Sequence, residues 1–197
     1  MSSVAAPNSS LMTEDEYLAM ERASSAKHEY WNGEVFAMTG GTLAHAMLAM
    51  NTGGALLNAL RGQRCQVLSS DAKIYVPRTR GFVYPDLSVV CGKPLIYNDA
   101  PDILVNPSLV VEVLSKSTEG FDRGEKFMGY RSIISLDHYM LVSQTDRRVE
   151  VYSRQNDASW LLRVYDDERP SILLTDMLGV AIQVPDIYRG VLDDAAG

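Results

Sequence analysis

Three ionisable residues stand at spacings that could do chemistry: Asp86, Glu112 and Lys126. Glu112 is the single acid inside the apolar run SLVVEVLSKS, residues 108–117. A carboxylate taken out of water without a partner is costly or changes its protonation state, so it needs water, a counter-charge or a metal. Asp86 follows Pro85 and opens a second apolar run, LSVV. Two adjacent strands with one acid each would bring the carboxylates close enough to share a hard divalent cation. Mg²⁺ suits such a site, taking one or two carboxylates, a backbone carbonyl and waters. Lys126 falls in a segment that reads as helix, where Asp122, Lys126 and Tyr130 share one stripe. If that helix packs beside the Glu112 strand, the stripe aims an ammonium at the carboxylates. Each residue also has a plainer reading. Glu112 would be a strand-end acid paired with an arginine, Asp86 a turn former, and Lys126 an exposed member of a salt-bridged helix face.

The elements that must position these residues can be read in chain order. Thr13 followed by Glu16 is a capping box, and a helix is expected over about 14–23. HEYWNGEVFAM places Asn32-Gly33 between β-formers, the signature of a type I′ hairpin. Gly40-Gly41 ends that hairpin, and Thr42 can cap a helix over about 43–60. QVLSSDAKIYVP reads as one or two strands broken near Ser69-Ser70, and Arg78 to Gly81 as a basic turn. A strand begins after Pro85. Residues 93–107, with Pro94, Asn98, Pro101 and Pro107, read as a loop. SLVVEVLS is a strand apolar on both faces, hence central in its sheet. FDRGEKFMGYRSII reads as a helix with Asp122 as N-cap and Glu125 as its capping-box mate. HYMLVSQ, RRVEVYSR and WLLRVYDD alternate like three successive antiparallel strands. A short strand near 172–174 and a turn of helix at Asp186–Tyr188 close the chain. The fold class is α/β (α+β), a mixed sheet flanked by helices.

Composition bounds the function. The chain has 197 residues, 46% hydrophobic and 22% charged, enough for one domain. We expect that domain over 13–190, a disordered lead-in at 1–12 and a tail at 191–197. No apolar run spans a membrane, and MSSVAAPNSS lacks the features of a signal peptide, which points to the cytoplasm. In that compartment Cys65 and Cys91 are expected to be reduced and packed. A net charge of −7 argues against whole-surface adhesion to nucleic acid. It leaves room for a local basic cleft, above all where a metal supplies positive charge. Arg61, Arg64, Arg78 and Arg80 are either phosphate grips or solubilising caps. No phosphate-binding glycine loop, no G-x-S-x-G elbow, no H-E-x-x-H and no zinc-like Cys/His spacing occurs.

Pro-Asp, then an acid in an apolar strand, then a lysine resembles the PD-(D/E)XK nuclease pattern. More closely, YPDLSVV, LVVEVLSKST and FDRGEKFMGYRSI, with HEYWNGEVFAMTG and the histidine of GTLAHAML, resemble the Uma2 family of that superfamily. The resemblance covers about Thr13 to Tyr188. It implies a restriction-endonuclease-like fold and an Mg²⁺- or Mn²⁺-dependent endonuclease that cuts phosphodiester bonds in DNA, acting as a homodimer. Asp86, Glu112 and the carbonyl of Val113 would hold the cation, and Lys126 would orient the attacking water. Glu29 would add an acidic ligand or position water, and His45 would contact phosphate or transfer a proton. Position 114, where the general motif has lysine, is Leu. The resemblance supplies the lysine from the next helix as Lys126, with Lys116 as the other donor. Asp71 and Tyr130 are further candidates, as a third acid and a hydrogen-bond donor. The other reading is a catalytically inactive nuclease-fold module that binds DNA or protein.

Overall fold

The computed structural model describes residues 11–38, 40–116, 118–175 and 179–192. Most of the expected lead-in and tail lies outside them. Helix α1, Glu14–Ala23, starts at the Thr13–Glu16 capping box. The hairpin β1, His28–Trp31, and β2, Glu34–Ala37, turns on Asn32 and Gly33, both at positive φ. Helix α2 spans Leu43–Ala59 with Thr42 as its N-cap. Next come β3, Cys65–Ser69; β4, Lys73–Val76; a 3₁₀ turn, Pro77–Thr79; β5, Gly81–Val83; and β6, Leu87–Cys91.

β7, Ile96–Tyr97, and β8, Ala100–Leu104, lie where the prolines predict a loop. The loop reading fails because β8 is held by parallel pairing to the distant β4, at Ile103 and Leu104, while Pro101 near its start masks the strand locally. The strand carrying Glu112 is β9, Leu109–Val113. The helical segment α3 follows in three pieces: Glu119–Phe121, a π turn at Asp122–Lys126, and Phe127–Tyr130. Strands β10, His138–Val142; β11, Val149–Arg154; and β12, Trp160–Tyr165 form the expected antiparallel meander. The hairpin β13, Ser171–Leu174, and β14, Val180–Gln183, precedes the short α4, Val184–Ile187.

Two six-stranded sheets result. One has the order β2-β1-β5-β4-β8-β7, the other β12-β11-β10-β9-β6-β3. In the second, β9 is antiparallel to β6 and parallel to β10. Two parallel neighbours need a crossover, and α3 supplies it. A crossover helix must lie against a face of its own sheet, so this topology carries Lys126 back over β9.

Side-chain alternation along β9 sorts the core. Leu109, Val111 and Val113 face a cluster with Leu48 and Leu56 of α2, Ile172, Ile182 and Ile187. Val110 and Leu114 face the opposite cluster, with Trp31, Ile74, Val76, Phe127 and Tyr130. α1 covers the far face of the first sheet through Tyr17, which stacks on Tyr30 and Phe82. Gly129 lets α3 approach the hairpin, since a Cβ there would lie 2.4 Å from the Trp31 indole.

Four sequence expectations need correction. Asp122 is not an N-cap: the helix begins at Glu119, and the Thr118 N–H is caught by the Ser115 hydroxyl, so Asp122 lies buried within it. Cys65 and Cys91 are opposite residues of the β3–β6 ladder, Cα atoms 4.0 Å apart, and are joined as a disulfide. Met12, assigned to a disordered lead-in, donates its N–H to Gly33 and accepts from the Tyr30 hydroxyl. Val191, assigned to the tail, is buried in the α2 cluster. Among the described residues, no helix is long and apolar enough to cross a membrane.

Candidate active site

A cleft of about 1060 Å³ opens at the ends of β6 and β9, between the β1–β2 hairpin, the start of α2 and α3. Asp86, Glu112, Val113, Lys126, Glu29 and His45 all line it. Topology assembles them: β1 brings Glu29, α2 His45, β6 and β9 the two acids, and the crossover helix the lysine.

Asp86 sits just before β6. The ladder pairs Leu87 with Val111, so two further residues along both strands place Pro85 opposite Val113. Pro85 has no N–H to offer the Val113 carbonyl. The Val113 N–H is taken instead by Asp86 Oδ2 at 2.7 Å. A strand residue directs its N–H and C=O to the same side, so the Val113 carbonyl faces the cleft beside Asp86.

Glu112 is 5% exposed. Its Oε1 meets Lys126 Nζ at 3.0 Å and accepts the Tyr130 hydroxyl at 2.9 Å. Burial pushes its carboxyl up to about 8, with Lys126 pulling down and Asp122, Asp86 and Glu29 pushing further up. Lys126 is buried too, which favours the neutral amine. Glu112, Glu29 and Asp122 outweigh that and hold the ammonium protonated above its ordinary range. The Asp122 carboxylate is 3.7 Å away and Glu29 Oε1 3.3 Å. Glu29 is fixed by accepting the Tyr84 N–H. Asp122 is raised chiefly by its own burial.

His45 occupies the first turn of α2, with Nε2 at 3.3 Å from Asp86 Oδ2. That contact raises the imidazole above its ordinary range against partial burial, and the Val113 backbone adds to the rise. The ring fits only because residue 41 is glycine: a Cβ there would lie 2.9 Å from it.

Other candidates make no contact with these groups. Lys116 lines the cleft but is exposed, and Lys126 rather than Lys116 reaches Glu112. Leu114, in the place of the motif lysine, is core. Asp71 is exposed and pairs with Lys27. Arg61 and Arg64 follow the far end of α2, and Arg80 pairs with Glu14 in a separate hollow that Arg78 also lines.

Sequence reasoning missed Gln144. Its Nε2 donates to the Leu114 carbonyl at 2.6 Å, and its Oε1 accepts the Thr42 hydroxyl at 2.9 Å. Thr42 Oγ1 in turn accepts the His45 N–H. With His45–Asp86 and Asp86–Val113, this closes a ring that ties the start of α2 to the end of β9. Gln144 lies after a strand in a polar turn, and no local signal separates it from a solvated residue.

The donor set fits a hard cation. Among the described residues, contacts fall on Oε1 of Glu112 and Oδ2 of Asp86, so each carboxylate has a second oxygen, and the Val113 carbonyl is adjacent. These are the one or two carboxylates and carbonyl that Mg²⁺ takes. No larger cluster of three or more His, Cys, Asp or Glu set to hold a metal occurs among the described residues.

Comparison with known proteins shows what the chain is similar to. The Uma2 family model, described as a putative restriction endonuclease, matches residues 14–185. Two uncharacterized proteins of Synechocystis sp. are similar. One, slr1290, is 36% identical over 91% of this chain and 93% of its own length. The other, sll1609, is 33% identical over 77% of this chain and 86% of its own length. The crystal structure of a putative nuclease belonging to DUF820 from Anabaena variabilis superposes with a TM-score of 0.71. It shares 15% identity and covers 90% of this chain and 97% of that one, a likeness of fold.

Proposed function

Because the chain belongs to the Uma2 family, we propose that its cleft is the active site of a metal-dependent endonuclease that hydrolyses phosphodiester bonds in DNA. One observation carries the reading: Lys126, from the helix after β9, lies 3.0 Å from Glu112, in the same cleft as Asp86. The three residue types of the nuclease pattern thus line one cleft although position 114 is Leu.

The residues have separable roles. Asp86, Glu112 and the Val113 carbonyl would hold Mg²⁺ or Mn²⁺. The cation supplies an acidified water and a counter-charge for the phosphate. Lys126 orients the attacking water and offsets charge that grows on the phosphorus oxygens. Tyr130 fixes the Glu112 carboxylate, and Glu29 holds Lys126 from the other side. His45, bound to Asp86, is placed to meet a phosphate oxygen or pass a proton to a leaving group.

Charge makes the cation necessary. Seven carboxylates line the cleft, Glu29, Glu34, Asp86, Glu112, Glu119, Asp122 and Glu125, against the two lysines Lys116 and Lys126. A DNA phosphate is repelled from such a surface until divalent ions offset it.

The test is incubation of the purified protein with supercoiled plasmid in Mg²⁺, in Mn²⁺ and in chelator. Nicked or linear product is expected with metal and none with chelator. Intact plasmid in both metals, from protein that remains folded, overturns the proposal.

A further inference from the structure

We infer that the outer face of α2 docks against a second copy of this chain, the two helices running antiparallel about a twofold axis at Met50. The inference rests on the helix itself and not on the nuclease reading.

α2 contains no Asp, Glu, Lys or Arg from Leu43 to Ala59, although 22% of the whole chain is charged. Its inner side is buried through Leu48 and Leu56. Its outer side presents Leu43, Met50 and Leu57 at 84%, 74% and 60% exposure, with Met47 at 41%. Large apolar side chains exposed in a row on one helix side mark a contact surface.

The outward residues recur at alternating spacings of four and three: Leu43, Met47, Met50, Gly54, Leu57. This is the seam of a two-helix packing, and it is self-complementary when reversed. Met50 meets its own counterpart, and Leu43 meets Leu57 of the partner subunit. The large Met47 falls on Gly54 of the partner subunit. A Cβ placed on Gly54 meets nothing within 4 Å, so the space it leaves is open to a side chain.

The self-complementary spacing and the charge favour a copy of the chain as the occupant. The four large side chains expose on the order of 450 Å², roughly half of one partner's share of a standard interface. Neighbouring Ala46 and Asn58 are exposed beside them and widen the contact. Two copies, each of net charge −7, repel wherever acidic faces meet. Contact along α2 sets no charged side chain of either helix against the other.

Sedimentation equilibrium and circular dichroism on the full chain test this. The wild type is expected at twice the 21.8 kDa chain mass at micromolar concentration. Met50→Glu should raise the dimer dissociation constant at least ~100-fold by burying two like charges at the axis. Its dichroism should be unchanged, because Met50 is exposed in the single chain. Leu57→Ser, milder in charge, should weaken the dimer in the same direction. Under mild oxidation Met50→Cys should cross-link to itself, Leu43→Cys alone should not, and the Leu43→Cys/Leu57→Cys double variant should. Three outcomes overturn the inference. They are a wild type that is monomeric, whether or not it sediments with phosphatidylcholine vesicles; a dimer that survives both Met50→Glu and Leu57→Ser; and self-cross-linking of Leu43→Cys alone, which would mean a parallel pair.

Discussion

Glu112 is buried, bonded to a lysine and a tyrosine, and still pushed up to about 8. A carboxyl whose folded value lies above its ordinary 4.5 takes up a proton on folding. Its contribution is most favourable below about 4.5 and declines as pH rises towards 8. Asp122 is raised as well and acts in the same sense. Lys126, raised above its ordinary range, loses its contribution only at more alkaline pH. Without divalent metal, thermal stability should therefore rise when pH is lowered from the alkaline side of 8 towards 6. Glu112→Gln should flatten that slope, and Mg²⁺, which favours the ionised carboxylate, should oppose it. Calorimetry at several pH values checks this. A Glu112→Gln slope as steep as the parent's would mean that other groups govern the profile.

At the scale of elements, the site depends on three joins: Asp86 to the end of β9, α3 to the face of β9, and the start of α2 to both. Gln144 makes the third. Gln144→Ala removes the Thr42 acceptor and leaves the Leu114 carbonyl short of a donor, at a cost of roughly 1–2 kcal/mol. It should slow plasmid nicking by ~10-fold or more through a loosened His45, while the Asp86–Val113 bond survives. Denaturation midpoints and nicking rates measure the two effects separately. Equal nicking by Gln144→Ala and parent would show that the ring does not hold His45 for the reaction. Local signals made much of this scale legible. Thr13–Glu16, Asn32-Gly33 and Thr42 each act within a few residues, and each begins or turns its element as its chemistry requires. The loop reading of 93–107 failed because the pairing of β8 with β4 is a contact between distant residues. Asp122 was misread as a cap because its type suits both a helix start and a buried ion pair. Only the Ser115–Thr118 turn, four to seven residues before Asp122, decides between them. Strand and helix spacing made a meeting of Asp86, Glu112 and Lys126 legible, whereas the addition of Glu29 and His45 came from family resemblance, since no spacing rule joins β1 to α3.

Among the described residues, the molecule has two six-stranded sheets and the separate β13–β14 hairpin, with a cleft where strands of the large sheets end. The Cys65–Cys91 disulfide ties β3 to β6, and so secures the outer edge of the sheet that carries the acids. It closes a span of 26 residues, worth about 3.5 kcal/mol in the chain-entropy account. Reduction should lower the unfolding midpoint by about 10 °C in a domain of this size. Cys65→Ser should reproduce the shift and be indifferent to reductant. A midpoint that reductant leaves unchanged would mean that the bridge contributes nothing to stability. At this scale the cleft's excess of carboxylates makes a divalent cation central to the account. Anomalous diffraction from a crystal of the protein grown with Mn²⁺ tests that claim most directly. One peak is expected within ~2.2 Å of carboxylate oxygens of both Asp86 and Glu112 and of the Val113 carbonyl. Mn²⁺ bound only elsewhere, with Glu112 still on Lys126 and Asp86 still on His45, would contradict it.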